Sequence, residues 1–254
     1  MEIISLLDAI EQRHSVRRYK DIPLSEECRK LLQDKIREIN SQSGLHFQLV
    51  CDEKKAFSGL PAYGKFSGVN AYIVAAGKKA PNLDEQIGYY GEALVLFAQS
   101  IGLNSCWAGV SYTKIKDTYI LEKDEKIACY IAIGYGETAG IQHKSKALEE
   151  ISDLKESSPE WYKKGVKAAQ LAPTAVNQQK FYIEYLGIKE GETLARVKFY
   201  KGHSLIGYTQ MDCGIARYHF ELGASDGDLN HLPFKYEEND FSVFICPAIS
   251  RITH

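Results

Sequence analysis

The sequence predicts an α+β fold made of two similar lobes that are joined near residues 150–158. Short apolar runs, which indicate strands, alternate with amphipathic stretches, which indicate helices. The second half repeats the helix–strand–helix–strand order of the first, and 254 residues suffice for two such units. Residues 152–159 are polar and indicate a linker. The boundary is therefore predicted between residues 1–150 and residues 151–254.

In the first half, the apolar spacing predicts helices at residues 3–10, from Ser25 to about residue 39, and at residues 87–101. Ser25 suits the N-cap of the second helix, and Gly102 ends the third. Apolar runs predict strands at residues 45–51, 71–76 and 127–133. Residues 52–68 are rich in Gly, Ser, Lys and Tyr, and predict a long loop.

In the second half, Ser157 and Glu160 match a capping box that predicts a helix to about Leu171. Strands are predicted at residues 181–186 and 241–246, and a helix at residues 211–222. Residues 91–101 align with residues 214–224, which places Gly91 on Gly214, and residues 46–48 align with residues 180–182. Two explanations stay open: an internal duplication, or the chance alignment of two α+β lobes.

The composition excludes several classes of protein. The chain has 31 Lys+Arg and 33 Asp+Glu, a balance that argues against a general nucleic-acid binder but not against a local pocket for one small anion. Its apolar runs are shorter than the ~20 residues of a membrane span, and no signal peptide is indicated. The six scattered cysteines contain no C-x-x-C pair. We therefore expect a reduced, cytoplasmic protein with no disulfide framework and no metal site.

Two basic segments are candidates for binding an anion. Arg13, Ser15 and Arg17 follow the first helix, and two guanidiniums beside a hydroxyl suit a phosphate. Lys144 and Lys146 follow the last strand of the first half. A phosphate monoester carries about −1.5 to −2 charges near neutral pH, which these cations would neutralise. The alternative for each segment is a solvated basic surface, and the spacing alone does not bring the two together.

A third candidate is the turn at residues 172–181. Thr174, Asn177 and Gln179 place hydrogen-bonding side chains there, and amides suit the polar edge of a heterocycle. Ordinary turn chemistry is the alternative, because Pro and Asn favour turns.

Two further motifs do not predict a functional site. Residues 134–140 resemble a dinucleotide-binding fingerprint, but they continue into polar and basic residues instead of an apolar-faced helix. Cys106 has no basic neighbour in sequence, and we expect it to be a small buried apolar residue. No nucleophile elbow is present.

Together these segments resemble the nitroreductase family of FMN flavoproteins. Residues 13–17 are similar to its Arg-x-Ser-x-Arg phosphate motif, and residues 91–109 to its central helix and flavin-lining loop. Residues 131–146 are similar to its last strand and basic segment, and residues 172–179 to its Pro-Ser-x-x-Asn-x-Gln turn.

The order of the motifs departs from that of ordinary members, which are homodimers with the turn soon after the phosphate motif. Here residues 40–44 hold a degenerate remnant of the turn, and the intact turn lies in the second half. The chain thus resembles the two-lobed "putative TM nitroreductase" branch. This implies an intramolecular pseudo-dimer with antiparallel-rich sheets and packed helices.

The resemblance also implies one FMN per chain and the residues that bind it. The phosphate and ribityl chain would be held by Arg13, Ser15, Lys144 and Lys146, with a contact from His14. Arg17 would approach the pyrimidine edge of the ring. The backbone facing the flavin N5 and O4 would come from Trp107, Ala108 and Gly109. The second half would close the site with Pro173, Thr174, Ala175 and Asn177.

The implied activity is that of an FMN-dependent NAD(P)H oxidoreductase. Hydride would pass through flavin N5 to a nitroaromatic, a quinone or a similar small electrophile, with no catalytic protein group and no metal. No nucleic-acid, membrane or obligate protein partner is implied, so a monomer would bind flavin. One alternative is a non-catalytic flavin-binding protein for storage or sensing, because Lys180 and Phe181 replace the family's Pro-Trp. The other is a reductive dehalogenase or flavin-modifying relative, because one scaffold hosts several reactions.

Overall fold

The computed structural model describes residues 3–229, 235–237 and 240–247, which form six α-helices and two four-stranded sheets. The helices are α1 (Leu6–Gln12), α2 (Glu26–Ser43), α3 (Leu83–Ser100), α4 (Leu148–Ile151), α5 (Glu160–Gln170) and α6 (Thr209–Ala224). The strands are β1 (His46–Cys51), β2 (Ala71–Lys78), β3 (Asn104–Ala108), β4 (Glu125–Gly134), β5 (Phe181–Ile188), β6 (Leu194–Lys201), β7 (Lys235–Glu237) and β8 (Asp240–Pro247).

The two sheets have the same topology. The strand orders are β1-β2-β4-β3 and β5-β6-β8-β7, and every pairing is antiparallel. We call the first sheet with α1–α3 the first lobe, and the second sheet with α4–α6 the second lobe. The predicted α+β class with two similar, antiparallel-rich lobes is confirmed. Among the residues that the structure describes, no helix is both long and apolar enough to cross a membrane.

Helix ends follow their capping residues. The predicted N-cap of α2 is confirmed, because Ser25 Oγ accepts a hydrogen bond from Cys28 N at 3.2 Å. The helix continues beyond the predicted residue 39 and ends at Gly44, whose φ of 69° suits a left-handed C-cap. The helix expected at residues 3–10 begins later, because Ser5 Oγ caps it by accepting from Asp8 N at 3.1 Å.

The predicted linker and capping box differ from the structure. The helix α5 begins after Pro159 without a side-chain cap, and Ser158 Oγ accepts from Lys155 N instead, so the predicted capping box is wrong. The segment before it is anchored to the second lobe, because Asp153 Oδ1 accepts from Tyr162 Oη at 2.6 Å and from Tyr185 N at 3.1 Å. Residues 152–159 are therefore not a free linker.

The helices α3 and α6 lie against each other where the lobes meet. A Cβ atom on Gly88 would lie 2.1 Å from Met211 O, and one on Gly214 would lie 2.0 Å from Glu85 O. Met211 lies three residues before Gly214, and Glu85 lies three residues before Gly88. Each glycine therefore makes the same contact with the opposite helix, and this reciprocal contact relates the lobes by approximate two-fold symmetry. Gly88, and not the predicted Gly91, corresponds to Gly214, because only a residue without a side chain permits this approach.

The substitutions Gly88→Ala and Gly214→Ala should each lower the free energy of unfolding by about 2–4 kcal/mol. The added methyl group meets backbone in both cases, so the helices must move apart. Urea unfolding followed by circular dichroism measures the change. The partly buried control Gln86→Ala, on the same helix, should change stability by less than about 0.5 kcal/mol. Unchanged stability of both glycine variants would contradict the packing described here.

Candidate functional site

The segment that follows α1 runs beside β3. Ser15 forms a parallel bridge with Ser105, and Val16 N donates to Ser105 O at 3.0 Å. The side chain of Val16 is buried. Side chains alternate along an extended chain, so Arg13, Ser15 and Arg17 share the opposite side. Because β3 contains Trp107 and Ala108 and leads into Gly109, this pairing brings the predicted phosphate motif next to the predicted flavin-lining residues.

Two adjoining cavities of about 560 Å³ each lie between the first lobe and the turn of the second. The basic cavity is lined by Arg13, Arg17 and Arg18 together with two histidines, and none of its lining residues is a carboxylate. The apolar cavity is lined by residues 106–111 and by further residues that are mostly apolar. The two cavities share the residues Ser15, Arg17, Pro173, Thr174 and Val176.

Most of the predicted site residues meet here. The residues that line one or both cavities are Arg13, His14, Ser15, Arg17, Trp107, Ala108, Gly109, Pro173, Thr174, Ala175 and Asn177. Lys144 and Lys146 line neither cavity. That these residues bind FMN stays a prediction.

The basic segment 144–146 holds the turn of the second lobe. Lys146 donates from its backbone N to Gln179 Oε1 at 2.8 Å and from Nζ to Gln179 O at 2.9 Å. Lys144 O accepts from Asn177 Nδ2 and from Gln179 Nε2, both at 2.9 Å. The contact of Lys146 Nζ with a backbone carbonyl gives it a structural partner. A further contact of either lysine with a bound anion stays a prediction.

The turn is strained. Val176, Asn177 and Gln179 have φ values of 47°, 56° and 44°, a left-handed conformation that costs about 1–3 kcal/mol for each such residue. Asp212, in the first turn of α6, holds it from the other side: Oδ1 accepts from Ala175 N at 2.9 Å, and Oδ2 accepts from Gln178 Nε2 at 2.7 Å. Val176 remains 71% exposed and lines both cavities. Strain at a cavity wall is typical of functional sites.

Asp212 is a site residue that the sequence reasoning missed. It lines the apolar cavity although only 2% of its surface is exposed, and burial raises its pKa from 3.8 to about 6. The hydrogen bonds from Ala175 and Gln178 lower the pKa but do not offset the burial. The sequence feature that could have identified Asp212 is its position as a carboxylate within the otherwise apolar start of the predicted helix at residues 211–222. Tyr208 and His143 were also missed as lining residues.

The basic cavity is suited to an anion. Arg13 is 3% exposed and its Nε has no hydrogen-bond partner, so a buried donor is left over. Burial lowers the pKa of Arg13, and the charge of Glu92 opposes this shift. Burial, and to a smaller extent Arg13, also lower the pKa of His14 and His143. The positive charge of the cavity at neutral pH therefore comes from its arginines, whose donors match a phosphate.

The remaining motifs take structural roles. The glycine-rich segment after β4 leads to no helix before α4, and Gly136 N donates to Asn104 Oδ1 at 3.0 Å, which confirms that no dinucleotide fingerprint is formed. Cys106 is buried as predicted, and burial raises the pKa of its thiol, but Cys106 also lines the apolar cavity, and the charges of Arg17 and Arg13 oppose this shift. Within the described residues, no group of three or more His, Cys, Asp or Glu side chains is arranged to hold a metal ion.

The substitution Asp212→Asn should change stability in a pH-dependent way. The folded chain holds the Asp212 proton more tightly than the unfolded chain, so ionised Asp212 destabilises the fold above about pH 6 and this penalty disappears as the pH falls towards 4. Relative to wild type, the variant should therefore be more favoured at about pH 8 than at about pH 4, by about 2–3 kcal/mol. Urea unfolding at both pH values gives this difference. Loss of the hydrogen bond with Gln178 changes the free energy of unfolding equally at both pH values. A difference between variant and wild type that does not depend on pH would contradict the raised pKa of Asp212.

Comparison with known proteins bears on the fold and the family. A nitroreductase structure from Thermotoga maritima, described as putative, has a TM-score of 0.66 and 21% identity, and covers 98% of this chain and 95% of its own. Two others, from Desulfovibrio desulfuricans and Exiguobacterium sibiricum, were solved in complex with FMN. They have 20% and 17% identity and TM-scores of 0.46 and 0.45, and cover 61% of this chain and 98% and 99% of their own.

A comparison with curated proteins finds no match. The family model described as "Putative TM nitroreductase" matches residues 5–224, which include both sheets' first strands, the phosphate motif and the turn. The chain therefore belongs to the family described as putative TM nitroreductases.

Proposed function

We propose that the chain binds one FMN between its lobes and acts as a flavin-dependent NAD(P)H oxidoreductase. The observation that carries this proposal is the pair of joined cavities. The basic cavity is lined by the arginines Arg13, Arg17 and Arg18, whose guanidiniums suit a phosphate. The adjoining apolar cavity suits a planar ring system. Membership of the putative TM nitroreductase family supports an oxidoreductase activity.

The residues present fit such a cofactor. Ser15 and Arg17 line both cavities, so they would contact the part of the cofactor that joins its phosphate to its ring. If Arg17 also reaches the edge of the ring, its positive charge would favour the reduced, anionic flavin. Opposite charges at ~4 Å attract by about 4 kcal/mol at an effective dielectric constant of 20. The bound flavin would supply hydride transfer at N5. The protein's part is to orient the ring and exclude water.

The two lobes are proposed to form an intramolecular pseudo-dimer with one surviving site. Gly91 leaves room for the Trp107 ring, since a Cβ there would lie 2.5 Å from Trp107 Cη2. Because Gly88 corresponds to Gly214, Gly91 corresponds to Arg217 in the second lobe. Its guanidinium lies 4.3 Å from the Tyr89 ring and 4.1 Å from the Phe244 ring, and it forms an ion pair with Glu85. The Arg217 side chain thus extends from the position at which Gly91 of the first lobe leaves room for the Trp107 ring.

The acceptor is proposed to be a small aromatic electrophile such as a nitroaromatic or a quinone. Val110, Val176 and Ile206 line the apolar cavity and are more than half exposed, so they form an apolar rim. Lys180 and Phe181, which replace the family's Pro-Trp and favoured a non-catalytic flavin-binding protein, lie away from the cavities. Phe181 is in the core, and Lys180 Nζ donates to His203 O at 2.9 Å. Neither residue lines a cavity.

The purified protein should be yellow and contain one FMN per chain as a monomer. Light scattering gives the mass of the flavin-loaded species, and heat release followed by absorbance gives the ratio of FMN to protein. One site is expected because Arg217 fills the second position. A ratio near two would overturn the single site. Flavin found only in dimers would overturn the intramolecular arrangement.

Anaerobic mixing with NADH or NADPH should bleach the flavin absorbance, and a quinone or nitroaromatic added afterwards should restore it. Stopped-flow absorbance separates the two half-reactions. Free FMN under the same conditions is the control for reduction without the protein. Bound flavin that neither nucleotide reduces faster than the control would contradict the enzymatic proposal and favour a flavin-binding protein.

A further inference from the structure

A buried polar cluster joins the lobes behind both cavities. Its centre is Glu92 on α3, which is fully buried. Glu92 Oε2 accepts from Trp107 Nε1 at 2.9 Å, and Oε1 lies 2.9 Å from His219 Nε2 of α6 and 3.7 Å from Arg13 Nε. Trp107 lines the apolar cavity and Arg13 the basic cavity. One carboxyl group therefore contacts both halves of the proposed flavin site and the other lobe.

The contacts of His219 fix the number of protons in the cluster. Its Nδ1 lies 3.2 Å from Ala168 O, and a backbone carbonyl only accepts, so Nδ1 carries a proton. A neutral ring would then present a lone pair at Nε2 to the oxygen of Glu92. The 2.9 Å contact between those two atoms requires a second proton, on the ring or on the carboxyl group. In either case the Glu92–His219 pair has no net charge.

The charge of Arg13 is then not cancelled. Arg13 Nε lies 3.7 Å from Glu92 Oε1 and makes no hydrogen bond with it, and no described residue accepts a hydrogen bond from this guanidinium. An ionised Glu92 without the His219 proton would reduce the positive potential of the basic cavity, because charges interact strongly in a dry interior. The neutral pair removes that effect.

We propose that His219, by sharing a proton with Glu92, leaves the full charge of Arg13 available to the anionic group in the basic cavity. The inference rests on the proposed function, in which that group is the phosphate of FMN. His219 is a positioning residue, because it lies in the second lobe and acts on the ligand only through Glu92 and Arg13. The second lobe would thus contribute to phosphate binding through the core as well as through its turn.

The test compares FMN with riboflavin, which lacks the phosphate. His219→Gln keeps a donor towards Glu92 but cannot carry a second proton, and the positive charge of Arg13 then favours an ionised Glu92 beside it. Glu92→Gln/His219→Gln removes both charges while amide groups maintain the contacts with Trp107 and with each other. Arg13→Gln is the reference for loss of the phosphate contact. Apo-protein of each variant is titrated with each flavin, and the fluorescence change gives the dissociation constants.

For His219→Gln, FMN affinity should fall roughly tenfold, which equals about 1.4 kcal/mol, while riboflavin affinity changes by less than about twofold. The double variant should recover FMN affinity to within about threefold of wild type, because the uncompensated carboxylate is gone. A ratio of FMN to riboflavin affinity that is unchanged in His219→Gln overturns the inference. So does a double variant that loses as much FMN affinity as the single one, since that indicates a purely structural role.

A second measurement needs neither a variant nor a flavin. Nuclear magnetic resonance of apo-protein labelled with ¹⁵N-histidine and ¹³C-glutamate reports the protons on the ring and the carboxyl group. Either a ring protonated at both nitrogens or a protonated Glu92 supports the inference. An unprotonated Nε2 beside an ionised carboxylate overturns it. If wild type binds neither flavin, the proposed function fails, and this measurement still decides the charge of the pair.

Discussion

The close approach of α3 and α6 is the contact on which the rest of the molecule depends. Where Gly88 and Gly214 meet the opposing backbone, the helices have no side chains between them. This sets the distance between the two sheets, since each helix belongs to a different lobe. The same contact places Glu92 of α3 within reach of His219 of α6. A wider spacing would break this hydrogen bond and part the two lobes between which the cavities lie.

The sequence predicted the parts of the fold that depend on local signals. Ser25 caps its helix as expected, and apolar runs located β2 and β4. The strand β3 was missed because Asn104 and Ser105 give it no apolar run, and its pairing with residues 13–17 is a long-range contact. The register between the halves was three residues wrong because it depends on which glycine meets a carbonyl, which alignment of similar letters does not reveal.

The candidate site was predictable to the extent that it resembles a family, and less so where it depends on burial. The motifs at Arg13 and Thr174 line the cavities. By contrast, Glu92 and His219 look like ordinary helix residues, and only the packing of α3 on α6 makes them a buried pair. Asp212 was missed for the same reason. Each is costly to bury, and Glu92 and Asp212 contact segments that line a cavity, so burying these side chains lowers the free energy of unfolding beside the cavities.

The non-equivalence of Gly91 and Arg217 has a consequence for how such a chain can change over time. In a symmetric homodimer one gene encodes both surfaces, so any substitution that alters one site alters its copy as well. Here each half is encoded separately, and an arginine that would displace Trp107 from one side occupies the other without harm. Apart from the contacts that join the lobes, such as Gly88 with Gly214 and Glu92 with His219, the two halves can change separately. One half can therefore lose the room for an indole ring while the other half keeps it.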